Sequence, residues 1–332
     1  MKSFPRVLFF LVLLVLSLSV FAVASAEAYP VWINNVQFTS EKTTIACGDG
    51  TATLTKDAAN SFTLTLTDAT ISTLSQKRSQ HGIYSAQDLT VVLKGTNTIK
   101  VNADGIAGLF AEKKLTLMGD GSLTIETNRN SMGIATGTDT TYFKMGGTLT
   151  IRGGKRGISA RAFAIYFSQT GDIEIAGAED AIFFEIDVSK VLFDGTGNIN
   201  LSGTNYGIRL FGESMLSLKG SGAATITGGN CGIFCSGWGD HEECTIRLNG
   251  VNSPVTISTI NGDQATKCCY ITGDNIKNYS ITGKPGGKTV VYKYYMDLPP
   301  TGDPATPLLW SLLATLSCST IFMLMKTRKS QS

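Results

Sequence analysis

Side chains able to do acid–base or metal chemistry are few in this 332-residue chain and thinly spread. Two histidines, His81 and His241, stand among 28 basic and 26 acidic residues. Cleaving a glycosidic bond takes two carboxylates at acid–base separation, and lyase chemistry takes acids grouped around a metal with a Lys or Arg base nearby. The nearest approaches are Glu179-Asp180 and the trio Glu185, Asp187 and Asp194. Cys231, Cys235, Cys244, Cys268 and Cys269 surround His241, but CxxxC, then C, then CC is not a zinc-ligand spacing. Nucleophile elbows, phosphate loops and paired zinc motifs do not occur. Aromatic rings offer a different chemistry, stacking on the apolar faces of sugars. Tyr84, Phe183, Phe234 and Trp238 are the candidates, the first three because each follows a Gly-Ile or Ala-Ile pair by one residue.

That recurring pair identifies the elements that position them. Gly-Ile stands at 82, 105, 133, 157, 207 and 232, and Ala181-Ile182 fills a further slot. Successive starts are 23, 28, 24, 24, 26 and 25 residues apart, a period that marks stacked units unable to bury their apolar face alone. Each unit reads as three short alternating strands and three corners, as in Leu115-Leu117, a Gly119-Asp120-Gly121 corner, and Leu123-Ile125. The expected fold is all-β, a right-handed parallel β-helix over 80–295 with a strand-rich N-terminal cap over 27–79. Within the cap, Asn34-Asn35 reads as a hairpin turn, since Asn tolerates positive φ. A propeller blade needs about 40 residues, and leucine-rich repeats need a fixed Leu and Asn pattern that is lacking.

The repeat also sorts the charges. Before each Gly-Ile stand His81, Asp104, Met132, Arg156, Asp180, Tyr206 and Cys231. Asp104 and Asp180 share that position three coils apart, about 14 Å at the stacking distance of parallel strands, too far for one metal or an acid pair. Lys155-Arg156 and Glu179-Asp180 are one coil apart and read as exposed cross-coil ion pairs. The trio Glu185, Asp187 and Asp194 reads as a solvated face. Catalytic residues are not expected.

The ends carry targeting signals. Residues 1–26 hold Lys2, Arg6, an apolar run and the small residues Ala24 and Ala26 of a signal-peptide cleavage site. At the other end Leu298, Pro299, Pro300, Thr301 and Gly302 precede an apolar stretch from Pro307 to Met325 and the basic Lys326, Arg328 and Lys329. This order resembles the LPXTG sorting signal of Gram-positive surface proteins. The resemblance implies that a sortase cuts after Thr301 and joins it to peptidoglycan, discarding a membrane-spanning tail over 302–332. Between those ends, 23 basic residues face 25 acidic ones, so the body is near neutral and no nucleic-acid surface is expected. Export permits disulfides, and Cys244 lies about one period from Cys268 and Cys269, an offset that sets them side by side on adjacent coils as a bridge or as buried free thiols, with the connectivity left open by the sequence.

Trp32 to Ser40, then Leu64 to Ile71, followed by the Gly-Ile coils, resembles the clostridial carbohydrate-binding parallel β-helix family. Its members imply binding of plant cell-wall polysaccharides, acidic ones included, and calcium held by acidic corners. No other cofactor is expected. The expected function is therefore a cell-wall-anchored, non-catalytic carbohydrate-binding module or adhesin for a polysaccharide or host glycan. A polysaccharide lyase or glycoside hydrolase on the same fold and a structural surface spacer are the alternatives.

Overall fold

Alternating Leu, Ile, Val and Phe build a three-sided parallel β-solenoid, seen in a computed structural model that describes residues 25–73, 81–177, 179–186, 189–236, 244–248, 255–262, 265–267, 269–272 and 279–282. Ala24, Leu298–Gly302, Asp187, Trp238, His241 and Cys268 lie outside the described residues. Three sheets of ten, eleven and nine strands form the first, second and third faces. Inward columns run the length of each. On the second face Val91, Leu117, Phe143, Phe167, Phe193 and Leu218 stack in register. On the third, Ile99, Ile125, Ile151, Ile175, Leu201, Ile226 and Ile257 do the same. All of these are buried.

The cap consists of β1 (Ala28–Ile33), β2 (Val36–Thr39), β3 (Thr44–Cys47) and β4 (Gly50–Lys56). Asn34 and Asn35 take φ of 44° and 64°, and Ile33 pairs with Val36 across the turn, as the Asn pair required. β1 runs antiparallel to Ile83–Ser85, and β4 antiparallel to β5 (Phe62–Thr67). Parallel stacking begins with β5, which pairs with Leu89–Lys94, inside the segment read as cap. Phe38 and Leu54 close the apolar end of the stack.

The register corrects one repeat boundary. Gly108-Leu109, not Gly105-Ile106, aligns with Gly82-Ile83 and Gly133-Ile134, because Leu109 pairs with both Ile83 and Ile134. Starts at 82, 108, 133, 157, 181, 207 and 232 are evenly spaced, and the irregular steps of 23 and 28 become 26 and 25. Contact explains the choice. A Cβ on Gly108 would sit 2.4 Å from Ile125 Cγ2, and one on Gly133 2.3 Å from Ile151 Cγ2, whereas one on Gly105 would meet nothing within 4 Å. The repeat glycine is the space into which the β-branched methyl of its own coil projects. Gly105 serves a turn instead, at φ +72°. Ala164–Phe167, Thr44–Cys47 and Cys269–Thr272 supply second-face strands not picked out from the sequence.

Candidate functional site

Alternation places one residue after each inward Ile on the outside of the first face. Trp32, Tyr84, Phe110, Ala135, Ser159, Phe183, Arg209, Phe234 and Lys267 form that column in register. Two aromatic ends thus flank two small residues. Misplacing the second repeat start substitutes Ala107 for Phe110, so the sequence shows Tyr84 without its aromatic neighbour.

At the N-terminal end four half-buried rings meet. Trp32 and Tyr84 lie 5.2 Å apart, Tyr84 and Phe110 5.7 Å, His81 and Phe110 4.9 Å, and His81 and Tyr84 5.7 Å. The planes are inclined by 26° to 63° rather than stacked flat. Two hydrogen bonds set the patch. The Tyr84 hydroxyl donates to Glu112 Oε1 at 2.5 Å, and the Ala107 N–H donates to His81 Nδ1 at 2.9 Å. Burial first, then the Glu112 bond and charge, pushes Tyr84 up to about 12. Burial lowers His81 to about 4, against the pull of the Glu112 charge, and the N–H donated by Ala107 to Nδ1 likewise favours the neutral ring. At neutral pH His81 is therefore uncharged, with Nδ1 accepting and the proton on Nε2. The result is an apolar, tilted ring surface with fixed polar atoms at its margin, an arrangement suited to the mixed faces of a sugar.

The C-terminal end is different. Phe183, a sequence candidate, is 7% exposed. Arg156 lies over its ring with Cζ 3.4 Å from the centroid, and Arg209 approaches it at 5.3 Å. Phe183 is therefore a buried support for arginines, not a sugar platform. Phe234 is half-buried and stacked on Tyr206, 4.6 Å away.

Arg156 Nη1 donates to Glu185 Oε1 at 3.1 Å, Arg161 Nε to Glu185 Oε2 at 2.7 Å, and Ser159 Oγ to Glu185 Oε1 at 2.7 Å. Glu185 is thus clamped rather than part of a solvated face. Burial raises its pKa, but the hydrogen bonds from Arg161 and Ser159 and both arginine charges outweigh that and leave it lowered. Arg156 pairs in register with Asp180, yet its ion pair is with Glu185. Asp180 is 2% exposed, and burial raises it to about 6 against the pull of Arg209 and Arg156. The expected exposed pair survives only as Lys155–Glu179, at 4.0 Å.

Other expected groupings resolve separately. Asp104 is outside the column it was assigned to, and its carboxylate instead accepts from the side chains of Asn128 and Asn130. Asp194 accepts from Ser168. Among the described residues no group of three His, Cys, Asp or Glu is placed to hold a metal ion. Cys244 stands beside Cys269 in register, as spacing required, but its disulfide is with Cys235. That bond, with Cα atoms 5.8 Å apart, joins a first-face strand to the second-face strand of the same coil. Tyr142 and Tyr166 form a further pair on the second face, unrecognised in the sequence although they are one period apart. Their rings stack at 5.1 Å and 11°, with Lys114, Lys144 and Lys190 within 5.6 Å, so their faces are already taken up.

No family model, curated protein or solved structure matches the chain.

Proposed function

We propose that the protein is an exported, cell-wall-anchored surface protein whose solenoid binds a polysaccharide or host glycan without chemically altering it. The observation that carries binding is the patch of Trp32, His81, Tyr84 and Phe110, four half-buried rings held on a rigid sheet and bordered by Glu112. A non-catalytic role is supported by the company the carboxylates keep. Glu185 is gripped by two arginines, Glu112 holds a tyrosine and Asp180 is enclosed, so these three acids, described on this face, do not form a free acid pair. Support for anchoring is the order of Leu298–Gly302, apolar span and basic tail.

A glycan array followed by depletion on insoluble polysaccharides tests binding. Trp32→Ala is expected to weaken retention by about 10- to 100-fold, the effect of removing a central aromatic anchor. An array without hits, a Trp32→Ala variant that binds unchanged, or release of unsaturated products from pectin would sink the proposal. For the anchor, mass spectrometry of wall digests is expected to find Thr301 joined to a peptidoglycan cross-bridge. An intact C-terminus on the wall-associated protein would refute it.

A further inference from the structure

Arg209 occupies a site unlike that of Arg156 on the same face or of Arg152 and Arg161 elsewhere. Its Cζ lies 5.3 Å from the Phe183 ring centroid, 5.5 Å from Tyr206, 5.1 Å from Phe211 and 5.8 Å from Phe234. Four rings therefore surround one guanidinium. Arg152, Arg156 and Arg161 each grip a glutamate, at 3.2, 3.1 and 2.7 Å. Arg209 makes neither an ion pair nor a hydrogen bond with any described residue, and its Nε is buried without an acceptor. Asp180, one coil away, feels the charge of Arg209 but forms no ion pair with it and leaves its Oδ1 unsatisfied. Lys267, 5.8 Å from the Phe234 ring, adds positive charge on one side, while on the other the charge of Arg156 is met by Glu185.

A cation held this way is prepared for an anion. Arg209 is half-buried among these rings, which restrict the guanidinium and displace part of its water, so part of the ordering and desolvation that a surface arginine undergoes on binding is already in place. A planar donor fork favours a bidentate oxyanion, and a weakly hydrated guanidinium in an apolar surround favours a partner whose charge is spread and loosely hydrated. Among the oxyanions a glycan carries, a sulfate ester has its charge over three oxygens, whereas a carboxylate concentrates it on two and loses more on leaving water.

We infer that Arg209, in its nest of Phe183, Tyr206, Phe211 and Phe234, is the receptor for a sulfate ester on the polysaccharide that lies along the first face. This deepens the glycan-binding proposal and rests on it. Phe110 at the aromatic end and Phe183 at this one are three coils apart, so a chain spanning about 14 Å reaches both. A general attraction to polyanions is not available, since 23 basic residues of the body face 25 acidic ones.

The test is titration of the full chain with dextran sulfate, with unmodified dextran and with polygalacturonate, comparing wild type, Arg209→Gln, Arg209→Lys and Trp32→Ala. Dextran sulfate is expected to bind wild type, and Arg209→Gln to weaken it by about 10- to 100-fold, the range of a charge-assisted hydrogen bond. Arg209→Lys keeps the charge and the apolar stem, so it is expected to melt as wild type does and to recover only part of the affinity. Polygalacturonate is expected to bind more weakly and with less dependence on Arg209. Dextran sulfate binding that Arg209→Gln leaves intact overturns the inference, as does full recovery in Arg209→Lys or equal dependence with polygalacturonate. Loss of the Trp32 effect on array glycans, with the Arg209 effect on dextran sulfate retained, removes the aromatic-patch proposal and supports the anion site alone.

Discussion

Phe167→Ala is expected to destabilise the solenoid by about 3–5 kcal/mol, the range for emptying a buried aromatic site. Phe167 is 1% exposed and stands between Phe143 and Phe193 on the second face. Centroid distances are 4.5 and 4.4 Å with interplanar angles of 8° and 5°, so one truncation removes two ring contacts as well as buried area. Collapse cannot refill the gap, because parallel hydrogen bonds fix the height of the coils above and below. Phe167→Leu retains most of the volume and is expected to lose less than half as much. Urea denaturation followed by tyrosine and tryptophan fluorescence reads the difference, and a loss under about 1 kcal/mol for Phe167→Ala would show that the ladder is not a principal support.

Gly157→Ala comes next, at about 2–3 kcal/mol, from overpacking rather than from a cavity. A Cβ at this position would lie 2.2 Å from Ile175 Cγ2 and 2.6 Å from the Ala181 carbonyl oxygen. The chain itself shows how one such clash is relieved. In the following coil Ala181 takes the glycine position, and Leu201, which has no Cγ2, takes the isoleucine position beside Ile175. Both are buried at 0% exposure, so the added methyl of one is matched by the missing branch of the other. Combining Gly157→Ala with Ile175→Leu is accordingly expected to recover about 1 kcal/mol, measured as the coupling term of a double-mutant cycle. Strict additivity of the two substitutions would contradict the steric account. Gly105→Ala serves as the comparison, since its Cβ meets nothing and only the positive φ opposes it.

These two sites also mark where sequence and structure part. Inward Leu, Ile, Val and Phe columns were legible because alternation and a period in the twenties admit one arrangement of strands. The hairpin at Asn34-Asn35 was legible because few residues accept that backbone. The pattern put the second start at Gly105-Ile106, and it is the methyl of Ile125, filling the space above Gly108, that puts it at Gly108-Leu109. Three residues of slip moved Asp104 into a column and Phe110 out of it. The Cys244 pairing went the same way: the period places Cys269 beside it, yet Cys235 in the same coil holds the bond.

Residue order alone determined the repeat, its three strands per turn and most of the core columns, all of which depend on spacing along one dimension. Only the tertiary structure decided which charges are satisfied and which rings are free, because those depend on side chains from different coils meeting across the sheet. Glu185 finds Arg156 and Arg161 from the coil before, Phe183 disappears beneath a guanidinium, and Trp32 reaches Tyr84 by an antiparallel pairing outside the repeat. Arg209 acquires four rings and, among the described residues, no ion-paired carboxylate for the same reason.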